Sequence, residues 1–135
     1  EFLLQQRALD KYHSGGLWSN TCCSHPRRDE PIQDAVHRRV YEELGIRALS
    51  PLQALPAFTY KAYLDNQLIE HEYDHIFVSH CSPDPISPVP TEVRSCKWLN
   101  EQVILQLLMR EPELFTAWFA DVFNSVRTHL NHCKL

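Results

Sequence analysis

The sequence has no basic excess, no long apolar run, few glycines and no framework of paired cysteines, and each absence narrows what the chain can be. Thirteen Lys and Arg stand against 17 Asp and Glu, for a formal net charge of -4. Nonspecific nucleic-acid binding neutralises phosphates with a surplus of cations, so nucleic acid is excluded as a partner and any phosphate recognition has to be local. Charged residues or His break every apolar stretch, and nothing approaches the ~20 apolar residues of a membrane span. No secretory signal is visible. The five cysteines are an odd number, with Cys22 and Cys23 adjacent. That is not a disulfide pattern, and it points to a reducing compartment, the cytoplasm. Repeats, low-complexity tracts and domain linkers are also missing.

What remains is a chain of 135 residues, 44% hydrophobic, enough for one compact domain with a sizeable core. It opens at Glu1, and residues 1–7 already read as a strand in progress, so a further segment is expected upstream. Residues 16–23 read as a second strand after a turn at Ser14-Gly15-Gly16. Residues 31–44 read as a helix, with Pro31 in its first turn and Gly45 just past its end. Ile32, Ala35, Val36, Val40 and Leu44 share its apolar face. Residues 53–63 and 68–80 are expected to pair about a turn at Asp65-Asn66, and 92–98 to form a short strand. The four prolines of the Ser82–Pro90 stretch make it a surface connection. Two helices close the chain, about 100–110 and 112–131, the second opened by Pro112. The order implies an α+β domain layered α/β/α.

The chemistry concentrates in residues 24–46. Arg39 and Glu43, and likewise Arg38 and Glu42, are four apart and share a helix face. They are either solvated ion pairs worth a few tenths of a kcal/mol each, or a carboxylate that holds a metal beside an arginine that holds a phosphate. Glu30, Arg38, Val40, Glu42, Glu43, Gly45 and Ile46 fall on the positions of a Nudix box, G-x5-E-x7-R-E-U-x-E-E-x-G-U, which this segment resembles. Ser24 stands in place of the leading glycine, and Arg39 in place of a glutamate. Exchanging a helix carboxylate for arginine replaces a metal ligand with a phosphate-binding cation, which would weaken a hydrolase.

One branch of the superfamily carries that change, the type I isopentenyl-diphosphate Δ-isomerases. The chain resembles them collinearly to about Trp118: Arg7-Ala8-Leu9-x-Lys11, Trp18-Ser19-Asn20-Thr21-Cys22-Cys23-Ser24-His25-Pro26, Phe58-x-Tyr60 and Glu70-His71-Glu72. The resemblance implies a Nudix-type fold with a mixed sheet and C-terminal helices. It also implies interconversion of isopentenyl and dimethylallyl diphosphate through a tertiary carbocation, in isoprenoid biosynthesis. A Nudix hydrolase of a nucleoside diphosphate derivative and a noncatalytic diphosphate- or metal-binding module are the alternatives.

By the same resemblance Cys23 is the catalytic thiol, where the residues alone also allow a buried structural cysteine or half of a zinc site with His25. If that segment is a strand, Cys23 and His25 project from one face. Glu70, Glu72 and Asp74 alternate along their strand, so three carboxylates share a face and need water or a cation to screen them. An edge strand facing solvent would satisfy this; the resemblance makes His25, Glu70 and Glu72 metal ligands and leaves Asp74 as surface. Glu72 is further implied to transfer a proton opposite Cys23, with Tyr60 as its hydrogen-bonded partner, and Trp118, on the last helix, to lie over the cation. Arg7, Lys11 and Arg39 are implied to hold the diphosphate, with Mg²⁺ between it and Glu43. The His/Glu site admits Mg²⁺, Mn²⁺ or Zn²⁺. The family draws two more histidines and a lysine from an upstream segment, so these 135 residues alone are expected to bind metal poorly. The other histidines, His13 among them, read as surface or structural. The expected partner is the small isoprenyl diphosphate, with no membrane, and the chain a monomer or weak homodimer.

Overall fold

In the computed structural model, residues 1–82 and 85–134 are described. Pro83 and Asp84 of the proline-rich connection lie outside that set. Strand β1 (Phe2–Arg7) is the centre of a three-stranded sheet, between the two-residue β2 (Trp18–Ser19) and β5 (Val93–Leu99), in the order β2-β1-β5. Both pairings are antiparallel. The parallel component is a bridge from Trp18 to Phe115.

Adjacent side chains of a strand point to opposite faces, and β1 uses both. Leu3 packs with Val40, Leu44, Ile46 and Val93. Its neighbour Leu4 packs with Ile104, Phe115, Phe119 and Phe123. The first cluster is the inner face of helix α1 (Ile32–Leu44); the second is covered by α2 (Glu101–Arg110) and α3 (Phe119–Cys133). One strand with a helix layer on each side gives the α/β/α stacking. Phe119 is 2% exposed and stacks between Phe115 and Phe123, with centroids at 4.7 and 5.7 Å. Emptying such a position costs about 3–5 kcal/mol.

Helix α1 runs as its periodicity requires, with two differences. Ile32 is exposed, and Glu43 is buried with Ala35, Val40 and Leu44. The helix stops at Gly45, in the left-handed region at φ 70°, whose N–H bonds Tyr41 O. A side chain there would also press on Ser87, 3.1 Å from the Cβ position. In the turn before β2, a Cβ on Gly15 would lie 2.3 Å from the Leu9 carbonyl oxygen, so only glycine fits. At α2, Asn100 caps the first turn by accepting from the Val103 N–H at 2.9 Å.

Strands β3 (Gln53–Tyr63) and β4 (Ile69–Val78) form a separate antiparallel hairpin, closed by a 3₁₀ turn at Asp65–Gln67. A bulge between Leu55 and Phe58 takes up Pro56, which has no N–H to give a ladder.

Two expected elements come out differently. Of residues 16–23 only Trp18 and Ser19 join the sheet. Beyond them side chains replace the ladder, with Thr21 Oγ1 donating to Leu3 O at 2.5 Å and Gln5 Nε2 to Thr21 O at 2.7 Å. The helix expected over 112–131 is broken. Pro112–Leu114 is a 3₁₀ turn, Phe115 is extended, and the Thr116 N–H bonds Trp18 O at 2.9 Å. That detour ties the segment to β2 and places Trp118 at the N-cap of α3 rather than along it.

Candidate active site

The site is built where the hairpin, the end of β1 and the segment after β2 meet. Along β4 the inward positions are Glu70, Glu72 and Asp74, half-buried between exposed His71, Tyr73 and His75. Burial and the neighbouring Glu70 carboxylate push Glu72 up to about 7, and burial raises Asp74 as well. Burial and the crowding of like charge disfavour the charged form of Glu72, which holds its proton up to near neutrality. Asp74 is therefore part of the cluster, not surface. Its strand position carried that information; only the motif left it out.

Cys23 and His25 do not lie on a strand, so their common direction does not come from strand alternation. They nevertheless reach the same carboxylates. His25 Nε2 lies 3.2 Å from Glu72 Oε1. Burial, then the charge of Asp74, pushes the Cys23 thiol up to about 12, while Arg7 works the other way and Glu72 and Glu70 add to the rise. Cys23 is held as a thiol within the electrostatic reach of the cluster.

Tyr60 sits opposite Glu72 in the hairpin register, yet its phenol is turned toward Glu70. Burial first, then Glu70, keeps that proton in place well above the ordinary tyrosine range. Diagonal neighbours in an antiparallel pair are within reach of a long side chain, which is why the expected Tyr60–Glu72 pair is replaced by Tyr60–Glu70. The Tyr60 ring is 6.4 Å from that of Trp118. Trp118 is 2% exposed and its indole N–H donates to Ser19 Oγ and Asn20 Oδ1 at 3.0 and 3.1 Å. These bonds fix the ring between Tyr60, the edge of His13 at 5.9 Å and the Arg7 guanidinium at 5.5 Å. His13, set aside in the sequence, is thus a wall of the site. It has no motif, but it follows the Arg7–Lys11 run closely enough to have been a candidate.

The three cations are held in two places. Arg7, just past a register shift in β1, is 8% exposed and donates to His13 O at 3.1 Å. Lys11 is bonded to Glu92, and Arg39 lies 3.5 Å from the same Glu92 oxygen. Burial would raise the Glu92 carboxyl, but Lys11 and Arg39 hold it below the usual range. Nothing in the sequence motifs singled out Glu92. Arg39 also donates to Glu42 at 2.7 Å and to Ser24 Oγ at 2.7 Å.

Glu43 is 3% exposed, and both its oxygens are engaged. Gln5 Nε2 donates to one at 3.3 Å; the other accepts from the Cys22 thiol at 2.9 Å and lies 3.5 Å from Arg39. Burial, then Glu43, keeps the Cys22 thiol protonated. Cys22, to which the resemblance assigned nothing, helps tie the segment after β2 to α1, beside the Ser24–Arg39 bond.

Among the described residues no group of three or more His, Cys, Asp or Glu side chains is closed around a metal position. The donors His25, Glu70 and Glu72 do adjoin, and Glu70 Oε2 is buried with no hydrogen-bond partner. An imidazole and two carboxylates suit a divalent cation chemically, as part of a ligand set. No helix among the described residues is long and apolar enough to cross a membrane.

Residues 1–119 match the NUDIX domain family. An isopentenyl-diphosphate Delta-isomerase of Photobacterium profundum is 50% identical over 131 residues, covering 97% of this chain and 73% of that protein. One of the same name from Pectobacterium atrosepticum is 51% identical over 124 residues, covering 91% and 67%. The chain also superposes on the crystal structure of a MutT protein from Methanosarcina mazei with a TM-score of 0.69 over 92% of this chain and 80% of that one, at 20% identity. That likeness speaks to the fold alone. With half of its residues shared along nearly its whole length, the chain belongs to the NUDIX family and, within it, to the isopentenyl-diphosphate Delta-isomerases.

Proposed function

We propose that the chain interconverts isopentenyl and dimethylallyl diphosphate, as the names of its relatives imply. The observation that carries the reading is the pairing of two proton carriers of different strength in one aromatic-walled site: Glu72, raised to about 7, and Cys23, raised to about 12. The reaction adds a proton to the terminal methylene of the alkene, whose electron pair forms the new C–H bond and leaves a tertiary cation. A C–H bond on the adjacent methylene then gives its electron pair to the new double bond, and its proton leaves to a base. Acid and base catalysis near neutral pH requires one group that readily holds a proton and another that can exchange one across the substrate.

Tyr60 and Glu70 flank Glu72 and serve to orient and resupply its proton. The Trp118 face offers an uncharged aromatic surface to the cation, worth ~2 kcal/mol in a desolvated site. Tyr60, His13 and Trp118 together keep water from trapping it. Arg7, Lys11 and Arg39 are the cations for the diphosphate, for which multidentate arginine contacts are well suited. His25, Glu70 and Glu72 would hold part of the ligand set of a Mg²⁺, Mn²⁺ or Zn²⁺ ion, and Glu43 would face a second Mg²⁺ once its partners move. A divalent ion supplies charge neutralisation for the diphosphate. Five free cysteines suit a cytoplasmic setting. The chain is taken to act as a monomer or weak homodimer.

Incubation with isopentenyl diphosphate and Mg²⁺, followed by proton NMR, tests the reading: the dimethyl signals of the product should grow without release of phosphate. Release of phosphate from nucleoside diphosphate derivatives, with no isomerisation, would instead establish a hydrolase. Binding of the diphosphate with neither reaction would establish the noncatalytic module.

A further inference from the structure

Away from this site, the last turn of α3 comes down on the first residue of β3. Cys133 Sγ lies 3.6 Å from His129 Nε2, one helical turn back, and His129 Nε2 lies 3.1 Å from Gln53 Oε1. Gln53 and Cys133 are exposed, and His129 is half-buried. A sulfur and an oxygen therefore both approach His129 Nε2.

The spacing of Cys133 and His129 suits a metal chelate. Donors on a tetrahedral zinc, with bonds of about 2.0–2.1 Å to nitrogen and about 2.3 Å to sulfur, stand about 3.5 Å apart. The observed 3.6 Å between Sγ and Nε2 meets that without a change of rotamer. An i, i+4 pair on a helix is held on one face by the backbone, so little side-chain order is lost on binding. A shallow groove of about 480 Å³, lined by Leu55, Pro56, Asn124 and Thr128 beside His129, leaves water room to complete the coordination.

We propose that His129 and Cys133, with the Gln53 amide oxygen, form a zinc-binding site that pins the C-terminal end of α3 to the start of β3. The ion takes the place of the thiol proton, which passes to solvent as the sulfur–metal bond forms. The imidazole binds through the Nε2 lone pair with its proton on Nδ1. The other four cysteines are half-buried, and burial raises the thiols of Cys22, Cys23, Cys81 and Cys96, which leaves Cys133 as the exposed one. The two elements joined carry Trp118 and Tyr60 at their other ends.

Titration of the reduced protein with Co²⁺, a spectroscopic substitute for zinc, reads the site directly. The expected result is a thiolate-to-cobalt charge-transfer band in the near ultraviolet that is retained in Cys23→Ala and Glu72→Gln. It should be lost in Cys133→Ser and His129→Ala and weakened several-fold in Gln53→Ala. Zinc should also raise the Tm of the wild type and not that of Cys133→Ser. No band in the wild type, or a band that survives in Cys133→Ser or His129→Ala, would overturn the proposal. Because the cysteine is exposed and the histidine only half-buried, these variants are expected to keep the wild-type circular dichroism.

Discussion

Arg39 Nε donates to Ser24 Oγ at 2.7 Å, so the two positions at which this Nudix box departs from its usual form touch each other. A glycine at 24 could not receive the guanidinium, and a glutamate at 39 would not donate to the hydroxyl. The two departures act as a unit: the serine aims the arginine, whose other nitrogens reach Glu42, Glu43 and Glu92.

Ser24→Ala should accordingly raise KM for the diphosphate substrate by about 3–10-fold with kcat little changed. Loss of an exposed hydrogen bond to a charged group is worth on the order of 1 kcal/mol, and 1.4 kcal/mol is tenfold. Arg39→Glu, which restores the usual glutamate at that position of the box, should reduce isomerisation far more. Steady-state kinetics of the two variants check both; equal effects would contradict the aiming role.

Glu92 binds Lys11 and Arg39 together. It neutralises the two cations in the free protein, and under the proposed function it would release them to the diphosphate. Glu92→Gln should lower KM severalfold and steepen its dependence on salt, because uncompensated cations are screened more strongly. A higher KM in that variant would show instead that Glu92 orients the cations in the complex.

The Tyr60 phenol turned toward Glu70 makes Tyr60→Phe informative. Removal of one participant in proton transfer costs about 10²–10⁴-fold in rate; a residue that only orients the transfer stands at the low end. The expected result is a fall in kcat of about 10–100-fold with unchanged KM and unchanged thermal stability. Unchanged kcat would confine Tyr60 to the wall of the site.

Arg38 clamps Glu30 through two nitrogens, at 2.8 and 2.9 Å, and the Arg27 N–H donates to the same carboxylate. The Arg38 hydrogen bond, then that of Arg27, holds Glu30 down at about 2, against an ordinary 4.5. The unfolded chain then binds more protons than the folded one between those values, so stability from this clamp is complete above about 4.5 and is lost as pH falls toward 2. Urea melts of Glu30→Gln should show a weaker loss of stability across that window than the wild type. Parallel curves would exclude the clamp as a source of acid sensitivity.

The fold and much of the site were legible because they rest on local patterns. The 3.6-residue period of α1, Gly45 at its end and the alternation of Glu70, Glu72 and Asp74 each follow from short-range geometry. Nonlocal partners were not legible. Trp118 leaves the helix because Thr116 bonds back to Trp18, almost a hundred residues earlier in the chain; Tyr60 reaches diagonally to Glu70; Cys22 finds Glu43, 21 residues along the chain. Glu92 belonged to no motif, and only the folding of β5 beside β1 brings it to Lys11 and Arg39.

The most direct test of Cys23 and Glu72 as the two proton carriers is the rate of isomerisation, with deuterium incorporation from D₂O, in Cys23→Ala and Glu72→Gln of the protein with its native termini. Each variant is predicted to lose at least about 10³-fold in kcat, to place no deuterium in the product, and to bind the diphosphate within about threefold of wild type. Wild-type turnover in either variant, with deuterium still entering the product, would contradict the assignment.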